Sequence, residues 1–257
     1  MTPEVQQRFD DRGADGRVVR LTIDNHAKLN AVNSGLIEQL RDRALALAGD
    51  DDLRAVVLTG AGERSFVGGA DINELSANTP ETGRRFITLL HEANAALRAI
   101  PVPVICRVNG FCLGAGLEIA ASCDMRVAAD TAKFGMPEVR VGLPSVIEAA
   151  LLPRLIGWGK TNEMLFTGDM IDAEEARDCG LVERVVPMSG LDDAVEAWLA
   201  SILASGPRAI RSQKALIHKW EQLPLDDAVK AGIDHLADAY TTDEPARLMS
   251  RFLNRRK

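Results

Sequence analysis

The feature that most constrains this chain is an alternation of strand-like and helix-like hydrophobic patterns over its first half. Runs rich in β-branched residues predict buried strands, and apolar residues spaced three and four apart predict amphipathic helices. The predicted strands are Val18–Asp24, DDLRAVVLTG ending at Gly60, and PVPVICRV ending at Val108. One predicted helix runs from a cap at Asn33 or Ser34 to Ala48, and another begins at Thr79 or Thr82. This order predicts an α/β fold with a mainly parallel sheet.

The second half of the chain is predicted to be mostly helical. Asp172 and Glu175 have the spacing of a capping box for a short helix that ends at Gly180, and LVERVV is one more predicted strand. Four helices then follow without a strand, at about residues 191–204, 207–220, 225–240 and 243–255. We therefore predict a core over residues 1–190 and a helical oligomerisation region over residues 191–257.

Composition narrows the functional classes. The chain has 257 residues, is 46% hydrophobic and carries a formal net charge of −7, which disfavours nucleic acid or anionic membranes as general partners. Its four cysteines form no CxxC pair, so reduced core thiols are favoured over disulfides or a zinc site. No apolar run has the length of a membrane span and the N-terminus has no signal-like core, so we expect a soluble, cytoplasmic protein.

Two glycine-rich loops follow predicted strands, which is where ligands bind in such folds. One covers Gly60–Asp71 and contains FVGGAD, and the other, NGFCLGAG, covers Asn109–Gly116. Glycines allow close approach to backbone N–H groups, and two such donors could hold an oxyanion, but on the number of glycines alone ordinary tight turns are the favoured explanation. Neither loop matches GxxxxGK[ST] or GxGxxG, so a nucleotide phosphate site is not indicated.

Three carboxylates lie within apolar sequence. Glu118 falls in the first turn of a predicted helix, Glu138 follows a proline in FGMPEVRVG, and Glu148 lies in PSVIEAALLP. Each also has a structural interpretation: Glu118 as a solvated carboxylate favoured by the helix dipole, Glu138 as a loop charge paired with Arg140, and Glu148 as a salt-bridged helix residue. The four histidines are scattered, and neither metal-ligand spacing nor GxSxG is present, so metal and serine hydrolases have no support.

In combination these motifs resemble the crotonase family of enoyl-CoA hydratases and isomerases. The segments FVGGADINEL, PVPVICRVNGFCLGAGLEIAASCDMRVA, AKFGMPEVRVGL and MIDAEEARDCGLVERVVP occur in the family's order and spacing. The resemblance implies a crotonase-like spiral of β-β-α units followed by a C-terminal helical trimerisation region. It also implies a homotrimer or a dimer of trimers that binds acyl-CoA thioesters, with no metal and no cofactor beyond the coenzyme A of the substrate.

The resemblance further implies the reaction and its residues. Glu118 and Glu138 match two glutamates with which hydratases add water to a trans-2-enoyl-CoA; one acts as base towards the water, and protonated Glu138 is the better candidate to give a proton to the α-carbon. The backbone N–H groups of Ala70 and Ala115 match the oxyanion hole. The implied substrate and CoA contacts are Ala27, Lys28, Leu29, Gly69, Asp71, Ile72, Gly114, Phe252 and Arg255.

Some positions depart from the family pattern. PSVIEAALLPR stands where hydratases commonly have PGAGGTQRLPR, so that Ser145 and Glu148 replace glycines, and Ala27-Lys28 replaces the usual Lys-Ala. These departures keep other functions open: an enoyl-CoA isomerase, a hydrolase or decarboxylase of CoA thioesters, and a non-catalytic RNA-binding or scaffolding homologue. Retention of both glutamates favours the hydratase, and the acidic net charge disfavours RNA binding.

Overall fold

Two β-sheets organise the fold. The computed structural model describes residues 2–254, without the side chains of residues 251 and 252. The strands are β1 (Glu4–Asp11), β2 (Arg17–Asp24), β3 (Leu53–Gly60), β4 (Ser65–Val67), β5 (Val104–Val108), β6 (Phe111–Leu113), β7 (Met125–Ala129), β8 (Lys133–Gly135), β9 (Met170–Asp172) and β10 (Arg184–Val186). The larger sheet has the order β1-β2-β3-β5-β7-β10, and the smaller has the order β4-β6-β8-β9.

Ten α-helices accompany the sheets within residues 2–254. They are α1 (Ser34–Ala48), α2 (Ile72–Ser76), α3 (Pro80–Ala99), α4 (Ala115–Ala121), α5 (Leu152–Thr167), α6 (Ala173–Asp178), α7 (Leu191–Leu203), α8 (Pro207–Trp220), α9 (Leu225–Ala239) and α10 (Glu244–Asn254). The predicted caps are present, because the side chains of Asn33, Thr79 and Asp172 accept hydrogen bonds from the first turns of α1, α3 and α6. None of these helices is long and apolar enough to cross a membrane.

The larger sheet is mainly parallel, as the alternating pattern predicts. Strands β2, β3, β5, β7 and β10 pair in parallel, and β1 adds an antiparallel edge. Helices cover both faces: Val56 and Leu58 of β3 pack in the cluster that includes α1 and α3, whereas Ala55 and Val57 pack against α7. Burial on both faces explains why these strands read as continuous apolar runs.

Three successive turns of chain repeat one unit. A strand of the larger sheet is followed by a three-residue strand of the smaller sheet and then by helix, in the order β3-β4-α2, β5-β6-α4 and β7-β8-α5. This is the spiral of β-β-α units that the family resemblance implies, and the helical C-terminal region follows it. Strands β4, β6 and β8 lie side by side and parallel, so the segments that leave their carboxyl ends lie together at one edge of the smaller sheet.

Part of the sequence-based prediction was incomplete. The segments around Gly60–Asp71 and Asn109–Gly116 were predicted as loops, but they contain β4 and β6. The predicted division at residue 190 stays a prediction; α7, which follows it, contributes Leu191, Val195 and Leu199 to the core beneath the larger sheet. Cys106, Cys112 and Cys123 are buried free thiols, and burial raises the pKa of the Cys106 and Cys112 thiols.

Candidate active site

A cavity of about 760 Å³ lies at the carboxyl ends of β4, β6 and β8. Its polar end is formed by the two glycine loops and two glutamates. The residues that line this end are Gly68, Gly69, Ala70, Leu113, Gly114, Ala115, Glu118, Pro137, Glu138 and Ser145. Its apolar wall comes from α2, α3 and the segment after Glu138, and consists of Ile72, Leu75, Phe86, Ile87, Leu90, Val141, Leu143 and Val146. Convergent polar groups at the end of a mainly apolar pocket are the usual form of a small-molecule site.

The first glycine loop leaves the N–H group of Ala70 without a partner. Val32 donates its N–H to the carbonyl of Gly69 at 2.9 Å, and the carbonyl of Val32 accepts from the N–H of Asp71 at 2.8 Å. These two bonds form a parallel bridge. They use the carbonyl of Gly69 and the N–H group of Asp71, on either side of Ala70, and leave the N–H group of Ala70 unused. Within residues 2–254 that N–H group has no acceptor, and Ala70 lines the cavity.

The second loop presents the N–H group of Ala115 in the same way. Ala115 is the first residue of α4, where an N–H group has no partner inside the helix. Gly116 lies so close to the carbonyl of Val67 in β4 that a β-carbon would overlap it, so this glycine lets α4 approach the strand that leads to Ala70. No acceptor contacts the Ala115 N–H group among the described residues, so this group and that of Ala70 lie unpaired on adjoining segments of one cavity.

Glu118 is buried rather than solvated. Its exposed fraction is 4%, and its Oε1 accepts a hydrogen bond from the N–H of Ala149 at 3.4 Å. Burial, with a smaller contribution from the negative charge of Glu138, raises the pKa of Glu118 to about 9. The raised pKa keeps a proton on Glu118 in the free site near neutral pH. The protonated state expected of Glu138 from the sequence stays a prediction.

Glu138 enters the cavity from the turn that follows β8. Its carboxylate lies directly over Gly114, in the space that a β-carbon would occupy. The hydroxyl of Ser145 donates a hydrogen bond to Glu138 Oε2 at 2.8 Å. The alternative pairing with Arg140 was wrong, because the Arg140 guanidinium pairs with Asp169 instead.

Glu148 does not line the cavity. It is 7% exposed, and its carboxylate accepts hydrogen bonds from His91 Nδ1 at 2.7 Å and Asn94 Nδ2 at 2.9 Å, both on α3. This contact agrees with the interpretation of Glu148 as a paired structural carboxylate rather than a third acid in the pocket. No pattern in the sequence indicated that His91 and Asn94 would be its partners.

The predicted contacts to coenzyme A fall into two groups. Gly69, Ile72 and Gly114 line the cavity, whereas Ala27, Lys28 and Leu29 lie on a turn outside it. Lys28 Nζ donates to Asp71 Oδ2 at 2.7 Å, and this interaction, with the N–H of Asn73, keeps the pKa of Asp71 below its usual value. The side chain of Phe252 and all of Arg255 lie outside the described residues, so their predicted roles stay predictions.

Two contacts to the glutamates were missed from the sequence. The Ser145 hydroxyl and the Ala149 N–H group belong to the segment in which the chain departs from the family pattern, and only the three-dimensional structure brings them to Glu138 and Glu118. The expectation that no metal or cofactor is needed stays a prediction. In the part of the chain that the structure describes, no three His, Cys, Asp or Glu side chains cluster in a way that could hold a metal ion.

Comparison with known proteins identifies the class of enzyme. The profile described as enoyl-CoA hydratase/isomerase matches residues 13–257. A short-chain-enoyl-CoA hydratase of Clostridium acetobutylicum is 36% identical over 244 residues, covering 95% of this chain and 94% of the relative. A crotonyl-CoA hydratase of Syntrophomonas wolfei is 36% identical over 238 residues, with 92% of each chain covered.

Solved structures agree with the sequence comparison. The crystal structure of an enoyl-CoA hydratase from Mycobacterium smegmatis superposes with a TM-score of 0.93 at 31% identity, covering 98% of this chain and 96% of the other. An enoyl-CoA hydratase from Bacillus anthracis gives a TM-score of 0.91 at 29% identity, covering 97% and 96%. The chain belongs to the enoyl-CoA hydratase/isomerase family. Within that family it is similar to proteins named as hydratases.

Proposed function

We propose that the protein adds water across the double bond of a trans-2-enoyl-CoA to give a 3-hydroxyacyl-CoA. The observation that carries this proposal is that two glutamates, Glu118 and Glu138, line one cavity together with the free N–H groups of Ala70 and Ala115. Hydration of a conjugated thioester needs these parts: groups that hold water, a group that moves a proton, and donors for the oxygen that becomes negative.

The thioester oxygen binds the N–H groups of Ala70 and Ala115. As the water oxygen adds to the β-carbon, electrons move towards this oxygen and an enolate forms. Backbone donors that already point at the oxyanion stabilise this enolate without reorganisation, and a single such donor typically contributes ~3–4 kcal/mol to the transition state.

The two glutamates hold the attacking water between them. Because burial keeps a proton on Glu118, we assign to Glu138 the transfer of a proton from the water to the α-carbon. Glu118 holds and orients the water. The overall change balances, since the hydroxyl of the water joins the β-carbon and its remaining proton reaches the α-carbon.

The decisive experiment follows the conjugated enoyl-thioester absorbance of crotonyl-CoA. The purified protein is expected to remove this absorbance with formation of 3-hydroxybutyryl-CoA. Glu138→Gln is expected to slow the reaction by ~100-fold or more, and Glu118→Gln by ~10-fold or more, because both change groups that contact the water. Migration of a double bond in 3-enoyl-CoA without hydration of crotonyl-CoA would instead establish the isomerase.

We also propose that copies of the chain associate through α9. Leu225, Val229, Ile233 and Leu236 recur at helical spacing along one face of this helix, and each is more than half exposed. A continuous apolar stripe with no cover from its own chain, within residues 2–254, is typical of an oligomer interface. The trimer or dimer of trimers expected from the family would supply that cover.

A further inference from the structure

The turn of residues 147–151 contacts Glu118 and has an unusual backbone. Ile147 has a φ of 38°, in the left-handed region that β-branched residues rarely adopt. A backbone conformation of this kind persists only where neighbouring groups hold it in place. The turn follows Ser145, which contacts Glu138, and contains Ala149, which contacts Glu118.

Glu148 is the side chain that ties this turn to the rest of the protein. Its carboxylate is buried outside the cavity and takes its hydrogen bonds from α3, a helix of 20 residues whose apolar face packs in the core. Burial of a carboxylate is unfavourable unless it is hydrogen-bonded, so these bonds fix the position of the side chain. Asn94 is fully buried, and its Oδ1 has no partner among the described residues, so the bond to Glu148 is what orients this amide.

A direct path therefore runs from α3 through Glu148 to the neighbouring N–H group of Ala149 and on to Glu118 Oε1. We infer that Glu148 is a positioning residue: by bonding to His91 and Asn94 it fixes the turn whose Ala149 N–H orients the Glu118 carboxyl group. This inference rests on the proposed function, because it assigns Glu148 a role in holding the water through Glu118. It makes the segment that departs from the family pattern a part of the catalytic machinery rather than a neutral replacement.

Two reactions measured on one preparation separate positioning from folding. In the proposed mechanism, hydration of crotonyl-CoA uses Glu118 to hold the water. Uptake of deuterium from D₂O at the α-carbon of butyryl-CoA uses the oxyanion donors and Glu138 without Glu118. The ratio of hydration to exchange does not depend on how much of the protein is folded. A displaced Glu118 lowers this ratio, while an unfolded fraction lowers both rates equally.

The variants are Glu148→Ala, which removes both hydrogen bonds, and Glu148→Gln, whose amide oxygen still accepts from Asn94. The NH₂ group of this glutamine donates to His91 Nδ1 when the neutral imidazole carries its proton on Nε2. We expect Glu148→Ala to lower the ratio at least ~10-fold and up to ~100-fold, the scale of a small misplacement at a catalytic site. Glu148→Gln is expected to keep a ratio near that of the wild type.

The matched control is Glu244→Ala. Glu244 is also a buried glutamate, with a carboxylate that accepts from the N–H groups of Arg208 and Ala209, but it lies outside the cavity lining. It is expected to lose stability without a change in the ratio. An unchanged ratio in Glu148→Ala, or an equal fall in Glu148→Gln, would overturn the inference, and a wild type that exchanges deuterium without hydrating crotonyl-CoA would overturn the proposed function instead.

Discussion

The carboxylate of Glu138 occupies the position that a β-carbon on Gly114 would need. Gly114 also has a φ of 51° and a ψ of −119°, which a residue with a side chain rarely adopts. One glycine therefore meets two requirements, a reversed backbone before α4 and space for the Glu138 carboxylate.

Gly114→Ala is expected to lower kcat for crotonyl-CoA by up to ~100-fold, because the new methyl group displaces Glu138. It also adds strain of at least ~1–2 kcal/mol from the positive φ. Gly13→Ala is the control, since Gly13 has a φ of 61° and no atom lies within 4 Å of the place its new methyl group would take. We expect Gly13→Ala to lose stability but keep its kcat, and Gly114→Ala to lose both. Equal kcat values in the two variants would contradict this prediction.

Ala115→Pro removes an N–H group that the helix itself does not use. Proline is well accepted at the first position of a helix. The residue before a proline must be extended, and the dihedral angles of Gly114 are the mirror image of an extended conformation, which glycine adopts as readily. We expect hydration and deuterium exchange to fall together by ~100- to 1,000-fold, because both pass through the enolate. Thermal unfolding of the variant checks that α4 is intact. Hydration at the wild-type rate would show that the N–H group of Ala115 is not part of the oxyanion hole.

Glu118→Gln is expected to stabilise the protein, and increasingly so as the pH rises. The pKa of Glu118 is about 9 in the folded protein and near 4.5 in the unfolded chain, so between these values the folded state binds the extra proton. Stability of the wild type therefore decreases as pH rises through this window, by roughly 1 kcal/mol per pH unit, whereas glutamine has no proton to lose. Denaturant unfolding at pH 6, 7 and 8 measures the difference; a difference that does not vary with pH would contradict the raised pKa.

Ile233→Glu is expected to dissociate the oligomer by placing a charge in the apolar stripe of α9. Light scattering at a series of concentrations gives the mass of the particle for the variant and the wild type. Lys230→Glu changes an exposed, already charged residue of the same helix and is the matched control. A wild type that stays monomeric at every concentration would refute the proposed association, and so would an Ile233→Glu variant with the wild-type mass.

The sequence predicted those parts of the fold that are determined locally. The helix α1 with its Asn33 cap and the buried strand β3 follow from periodicity and from hydrogen bonds within a few residues. Strands β4, β6 and β8 have three residues each, too few for a periodic pattern, and they exist because they pair with one another across the spiral. The polar edge strand β1 buries only Val5, so its hydrophobic signal is also weak.

The site shows the same division. The resemblance proposed Glu118 and Glu138, and both line the cavity. The raised pKa of Glu118 and the contacts of Ser145 and Glu148 depend on segments far apart in the chain, so no local pattern could reveal them.

The repetition of the β-β-α unit has an evolutionary consequence. Each β-β-α unit ends at the same rim of the cavity and contributes different residues of the proposed site: Ala70 comes after β4, Ala115 and Glu118 after β6, and Glu138 after β8. The apolar residues that make the fold stable lie mainly in the other sheet and its helices. Selection can therefore replace one residue of the rim at a time while the rest of the fold stays stable. A chain with this architecture can acquire a new reaction through few substitutions.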